Sequence, residues 1–397
     1  HRIQSPFTSQ VYDAVEFAQR QLKDNGMTDT ETITDPSTGR QIPDVFTGNR
    51  WFMKLTHTAE SKAQGRGLGS YSSDGSPSKS GKDGTGSKRL ALMDLNALLS
   101  HGATAVIRDG RSVRGQDNPD YWTQFMSGHT PPPVKVPFVH TKFINTLRAG
   151  GINPVREGRK TQFMALTDKD VDALAGSREL SNADTVDPAK GLKPIVGGLF
   201  DQKLTGSHDG KMWSAIPLAE PMLNPVMEEP TRRLLNLTEA KFRDVMAGRA
   251  ELAGDTGPSA IHNALKSLNV DKELEEARQA FSSGRKTAKD SAARRLRYLK
   301  STKALGIHPG EWVLKRAPVL PPAFRPISVM AGGVPLVSDA NYLYRELHEA
   351  NSNLKELTGK ISDVGEERLA LYDAFKAVVG LGEPTHPKNQ ERKVKGA

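Results

Sequence analysis

The sequence contains no cysteine, which excludes disulfide staples and thiolate metal sites and leaves the redox compartment open. No run approaches the roughly eighteen apolar residues of a spanning helix, and no basic amphipathic anchor opens the chain, so a membrane role is set aside. Hydrophobic residues make up only 36% of 397 positions and aromatics 6%, which is thin for one compact globule. The opening residue is His1 rather than methionine, as expected of a processed chain, a piece cut from a longer one, or a partial sequence. What is plentiful is proline, at 25 residues, and positive charge, with Lys plus Arg exceeding Asp plus Glu by 55 − 46 = 9. The isoelectric point is near 9.5. Such a balance favours small modules joined by irregular segments and a polyanionic partner. Charge alone does not separate nucleic acid from an acidic membrane surface.

The stretch PVLPPAFRPISVMAGGVPLVSDANYLYRELHEANSNLKEL, Pro318 to Leu357, organises the chain. Pro318, Pro321, Pro322 and Pro326 forbid helix in its first part. Gly332-Gly333 allows a sharp reversal, so Ser328–Val337 reads as a protruding loop. Ser338 is a good N-cap. After it, Ala340, Leu343, Leu347, Ala350, Leu354 and Leu357 follow at alternating spacings of three and four, a heptad seam. From residues alone this is an extended rod, an exposed loop and a helical arm; a Pro-rich linker and an ordinary helix pair is the plainer reading.

The stretch resembles the beta-prime subunit of bacterial-type RNA polymerase, from V-L-P-P-x-x-R-P through S-D-x-N-x-L-Y-R. Val319, Leu320, Pro321, Pro322, Arg325, Pro326, Gly332, Gly333, Ser338, Asp339, Asn341, Leu343, Tyr344, Arg345, Asn351, Leu354, Lys355 and Leu357 match without a gap. The resemblance implies that Met330, Ala331, Gly332, Gly333, Val334 and Pro335 form the lid separating transcript from template. It implies that Asn341, Tyr344, Arg345 and Lys355, on the first arm of the clamp coiled coil, meet an initiation factor, and that Arg325 contacts nucleic acid. Where the family carries N-R-N-N-R, this chain has Glu349-Ala350-Asn351-Ser352-Asn353, which favours a dedicated factor over the ordinary bacterial one.

Nearer the start, Val11–Leu22 reads as a helix, Asn25-Gly26, Asp35-Pro36 and Thr38-Gly39 as turns, and Val45–Leu55 as a strand. Lys54 to Ser73, KLTHTAESKAQGRGLGSYSS, resembles the C-terminal part of the polymerase beta subunit through Lys54, Leu55, His57, Lys62, Arg66, Gly69, Ser70, Tyr71 and Ser72. A lone Lys-x-x-His carries no weight; the resemblance implies that Lys54 and His57 face the active centre and the hybrid. Residues 64–88 are rich in Gly and Ser and carry Arg66, Lys79, Lys82 and Lys88. By composition they are a flexible linker; by resemblance they, with Lys62 and Arg89, line the path of nucleic acid.

Thr85–Ala103 continues the resemblance as a helix with Leu92, Leu95, Leu98 and Leu99 inside, and Tyr121–Phe125 reads as a surface excursion. Phe138–Pro154, a helix closed by Gly150-Gly151, resembles the end of beta. From Leu166 the likeness is to beta-prime, so the chain is read as a beta-to-beta-prime fusion. The family's zinc ribbon is missing between Gly206 and Lys211, and His208 alone holds no zinc. Leu234–Ala247 reads as a helix. Ser259–Phe281 and Arg285–Leu305 read as a hairpin whose second arm, with Arg294 and Arg295, is strongly basic: a solvated face or a DNA contact. Asp363 caps a returning helix to about Val379, and 383–397 reads as a flexible tail.

Asp168, Asp170 and Asp172 have the spacing of the polymerase metal motif but fall in a helical first turn after Thr167, where alternate carboxylates diverge. The expected fold is α+β and multi-module: a beta-like region over 1–156, a beta-prime-like clamp region over 157–317 with the hairpin 259–305, lid and coiled coil over 318–382, then the tail. The resemblance implies a segment of DNA-directed RNA polymerase, compact and phage-like, inactive alone. DNA, the RNA–DNA hybrid, barrel-bearing chains and an initiation factor are its implied partners. Mg²⁺ belongs to the assembled enzyme and no cofactor to this chain; the setting is cytoplasmic, that of an infected cell or virion if viral. A standalone nucleic-acid-binding protein and a virion scaffold are the rival readings.

Overall fold

In the computed structural model, residues 2–4, 11–49, 52–54, 69–72, 75–79, 86–87, 89–158, 160–187, 193–207, 210–330 and 335–394 are described. They divide into two compact units, His1–Leu68 with Lys82–Lys88, and Gly69–Gly81 with Arg89–Ala397.

In the first unit, β1 (Arg2–Gln4) pairs antiparallel with β2 (Val11–Asp13), and α1 spans Ala14–Asp24. The expected helix thus starts three residues late, because Val11 and Tyr12 join a strand and Asp13 becomes the N-cap, accepting from the Val15 amide at 2.9 Å. A second hairpin, β3 (Thr30–Thr34) and β4 (Gln41–Phe46), turns at Asp35, whose carboxylate accepts from the Ser37 and Thr38 hydroxyls at 2.5 and 2.6 Å. These bonds hold its pKa down to about 2. The strand expected over Val45–Leu55 ends at Phe46.

The second unit opens with α2 (Leu92–Ser100), α3 (Thr104–Arg108), α4 (Pro119–Met126) and α5 (Phe138–Ala149). The leucines expected inside α2 are not buried: Leu92 is 71% exposed and neighbouring Met93 82%. The apolar periodicity is real, but among the described residues Leu95 and Leu98 are only part-covered and Leu92 and Leu99 stay exposed. Tyr121–Phe125, expected as an excursion, lies within helix α4. Helix α5 stops at Gly150-Gly151 as expected; Gly151 has φ +79°, and a Cβ there would collide with the Asn224 amide. That amide donates to the carbonyls of Gly151 and Leu166 at 2.8 and 3.2 Å.

A hairpin of β5 (Ile152–Glu157) and β6 (Lys160–Ala165) leads into α6 (Asp168–Ala175), then β7 (Val186–Asp187), β8 (Lys193–Pro194), α7 (Gln202–Thr205) and β9 (Ser214–Leu223). The single helix expected over Leu234–Ala247 is two, α8 (Glu228–Leu234) and α9 (Glu239–Ala247). Asn236 between them takes φ +53°, and Thr238 caps the second. Next come α10 (Gly257–Lys266), α11 (Val270–Ser283) and α12 (Lys286–Leu305). The α11–α12 hairpin turns at Gly284 as expected, but its first arm is broken at Asn269, which caps α11 with its own side chain.

Strand β10 (Val313–Val319) pairs antiparallel with β9. Pro318 is tolerated there because the sheet has only two strands, leaving every strand an edge. Strands β11 (Ile327–Val329) and β12 (Pro335–Val337) form a hairpin, followed by α13 (Asp339–Leu357) and α14 (Gly365–Val378). Val364, not the expected Asp363, is the N-cap of this helix and makes no side-chain capping bond; the Asp363 carboxylate, one residue earlier, accepts from the Gly365 amide at 3.0 Å. The core of this unit gathers Ile216 and Met222 of β9, Leu314 of β10, Phe242 and Ile261, with Leu343, Leu347 and Leu354 of the α13 seam and Leu371 and Phe375 of α14. Polar stitches cross it: Arg368 grips Glu220 through paired bonds of 2.7–3.1 Å, and Arg243 holds Asp373 likewise.

The tail is the largest departure. It docks on α13: the buried Glu346 carboxylate accepts from the Thr385 amide and hydroxyl at 2.8 and 2.9 Å and from the Asn389 amide at 2.5 Å. Asn389 starts no free end but sits in α15 (Pro387–Glu391), and Arg392 stacks over Tyr342. A buried carboxylate needs such donors. Every strand pair is a two-stranded antiparallel ladder among many helices, so the fold is α+β. Among the described residues no helix is long and apolar enough to cross a membrane.

Candidate nucleic-acid interface

The root of the β11–β12 hairpin is held by one arginine. Arg325 is 0% exposed. It donates to the Leu320 carbonyl at 2.5 Å, Asn341 Oδ1 at 2.7 Å and the Leu199 carbonyl at 2.6 Å. Its guanidinium stacks over Phe200 at 4.8 Å and lies 5.8 Å from the Tyr344 ring. Asn341 donates back to the Arg325 carbonyl at 3.1 Å, and the Tyr344 hydroxyl accepts from the Leu320 amide at 3.0 Å. Burial pulls the Arg325 pKa down to about 10, which still leaves it charged at neutral pH.

Two expectations change here. Arg325 is an internal clasp and not a surface contact for nucleic acid. Asn341 and Tyr344 are buried in the same clasp, so neither offers a side chain to a docking factor. Both changes share a cause: the 199–200 segment, the 320–325 stretch and the start of α13 converge on one planar cation that bonds an oxygen of each. Arg345 and Lys355 do lie on the exposed side of α13. Arg345 pairs with Glu349 at 3.0 Å and lies 3.6 Å from Asp184, while Lys355 reaches the Pro217 carbonyl at 3.3 Å. Asn351 turns inward to β9, bonding the Ala219 amide and Pro217 carbonyl at 2.6 and 2.9 Å.

Above the clasp, Ile327, Ser328 and Val329 face Val337, Leu336 and Pro335 across the ladder. Val329, Met330 and Leu336 expose their apolar side chains. Ala331, Gly332, Gly333 and Val334 lie outside the described residues. So do His57, Lys62, Arg66, Lys82 and Lys88. Lys54, Lys79 and Arg89 are exposed.

On α12, Lys286, Lys289, Arg297 and Lys300 fall at spacings of 3, 8 and 3, which places them within one face of the helix. None has an ion-pair partner among the described residues. Arg294 is exposed beside this face, whereas Arg295 points inward, pairing with Glu273 and donating to the Leu234 carbonyl at 3.3 Å. Arg295 is therefore a packing residue of the hairpin and not the nucleic-acid contact expected from the sequence.

The aspartate triplet serves the fold. Asp170 accepts from the amide of the N-cap Thr167 at 2.9 Å and from Asn153 at 2.8 Å; Asp168 accepts from the Lys315 amide at 2.8 Å; Asp172 pairs with Arg316. Three carboxylates committed to three different partners do not form a Mg²⁺ set. Sequence reasoning missed Glu346, whose only signal was a lone acid at a seam-flanking position of α13.

No family model matches the chain. Over 237 residues, 56% of its length, it is 27% identical to the DNA-directed RNA polymerase subunit beta′ of Corynebacterium efficiens. Over 197 residues, 49% of its length, it is 28% identical to the same subunit of Burkholderia mallei and of Burkholderia thailandensis. It spans only 18% and 14% of the length of these relatives. Over about half its length the chain is thus similar to the beta-prime subunit of bacterial DNA-directed RNA polymerase.

Proposed function

We propose that this chain is part of a DNA-directed RNA polymerase that holds template DNA and the RNA–DNA hybrid and separates the transcript. In this reading a beta C-terminal-like region is fused to a beta-prime-like clamp, and the catalytic barrels and their Mg²⁺ come from other segments or chains. The absence of the ribbon cysteines suits a compact phage-like enzyme. The observation that carries the reading is the β11–β12 hairpin, tipped with exposed Val329, Met330 and Leu336 and clamped at its root by Arg325 to the start of α13. An apolar hairpin on a rigid mount fits a wedge that keeps two strands apart without doing chemistry. The uncovered apolar face of α2–α5 supports a polypeptide partner. With Asn341 and Tyr344 buried, an initiation factor would read the outer side of α13, where Glu349 sits beside Arg345. That acidic rim favours a dedicated factor.

Deleting 331–336 and closing the gap with glycine, in the assembled enzyme, leaves single-nucleotide addition intact. Transcripts then stay annealed to a single-stranded template and become sensitive to ribonuclease H. Clean transcript release by the deletion variant would refute the wedge role.

A further inference from the structure

The α11–α12 hairpin carries a groove that the strand-separating hairpin does not use. At its open end lies a cavity of about 470 Å³ lined by Arg278, Phe281, Ala293, Leu296, Arg297 and Lys300. Its floor is apolar, and Phe281 is 48% exposed in it. Arg278 is part-neutralised by Glu275 at 2.5 Å, but Arg297 and Lys300 have no ion-pair partner among the described residues. The groove continues toward the base of the hairpin, where Asp271 and Glu275 join the wall and offset most of the positive charge of Arg278, Lys300 and Lys303. The anion-selective part is therefore the end around Phe281.

We propose that this end of the groove binds single-stranded nucleic acid, with a base on Phe281 and the flanking phosphates on Arg297, Lys300 and Arg278. The inference deepens the proposed function, on whose nucleic-acid partner it rests. A duplex keeps its bases stacked inside and offers phosphates only, so it has no use for an exposed aromatic ring on an apolar floor. A single strand presents both, and aromatic side chains flanked by cations are how such strands are held without sequence preference. The line of cations continues past the cavity to Lys289 and Lys286, along roughly 21 Å of helix. Charge repeated over that length suits a polyanionic backbone better than a short acidic peptide.

The test compares a fluorescent oligothymidylate with a duplex of equal length, binding to the full chain by anisotropy. Phe281→Ala lowers thymidylate affinity about tenfold and leaves duplex affinity and the thermal midpoint unchanged, while Phe281→Trp retains binding. Arg297→Ala and Lys300→Ala weaken both ligands and each reduce the log–log salt slope by about one unit. A 5-iodouridine oligonucleotide crosslinks within the peptide that contains Phe281. Equal thymidylate affinity of Phe281→Ala and the parent, or displacement of the oligonucleotide by an equal length of polyglutamate, overturns the assignment. Duplex binding without any preference lost in Phe281→Ala sinks the groove alone; no DNA binding by the parent chain sinks the nucleic-acid role with it.

Discussion

Two stretches of this chain carry comparable apolar patterns and meet opposite fates. In α13, Leu343, Leu347 and Leu354 are fully buried against α14 and β9, and the arginine and asparagine between the proline-rich segment and the helix close the same core. In α2–α5, Leu92, Met93, Leu99, Met126, Val139 and Phe143 keep most of their surface exposed. Periodicity reports that a face is meant to be covered. It does not report whether the cover lies in the same chain.

The contrast predicts unequal sensitivities. Leu347→Ala costs about 3 kcal/mol of unfolding free energy, through lost transfer energy and the cavity left in the seam. Arg325→Ala costs a similar amount, on the order of 3 kcal/mol, because the Leu320 and Leu199 carbonyls and the Asn341 Oδ1 lose the cation that bonds them in the core. Met93→Ala shifts the free chain by no more than about 0.5 kcal/mol yet weakens co-purification of partner chains. Urea melts of the three variants decide it; equal losses at Leu347 and Met93 would erase the distinction.

Smaller effects sharpen the docked tail and the side of α13. Glu346→Ala removes the acceptor that Thr385 and Asn389 bond and so frees the tail from α13, and limited proteolysis then cuts after 383 well before global unfolding. An unchanged cleavage pattern would make the carboxylate clasp incidental. His348, half-buried on α13, has its pKa lowered by burial first and then by Lys355, against the opposing pull of Asp184 and Glu349. A lowered folded pKa means the native state prefers the neutral ring. Its stability contribution is whole above the ordinary value of about 6.5 and fades as pH falls through the depressed value. His348→Gln flattens that acid-side slope in melts taken from about pH 7 downward.

Local signals were legible in the sequence wherever a backbone need selects a residue. Gly150-Gly151 ended α5, Thr167 with Asp170 opened α6, and the seam after Ser338 ran the length of α13. The misses have a different physics. Arg325 reads as surface charge until Leu199, Leu320 and Asn341 fold around it, and Arg295 likewise until Glu273 faces it. The α8–α9 break depends on Asn236 accepting a left-handed backbone, which no apolar pattern announces. The tail reads as disordered by composition because its anchor, Glu346, lies some forty residues upstream in α13.

The central claim is that this chain works as one part of a polymerase whose barrels lie elsewhere. Native mass spectrometry of the complex purified through a tag on this chain tests it directly. The account predicts barrel-bearing polypeptide at equal stoichiometry, released from this chain by Leu92 and Met93 changes to aspartate. A stable, fully occupied preparation of this chain alone, binding DNA with no barrel-bearing partner, would contradict it.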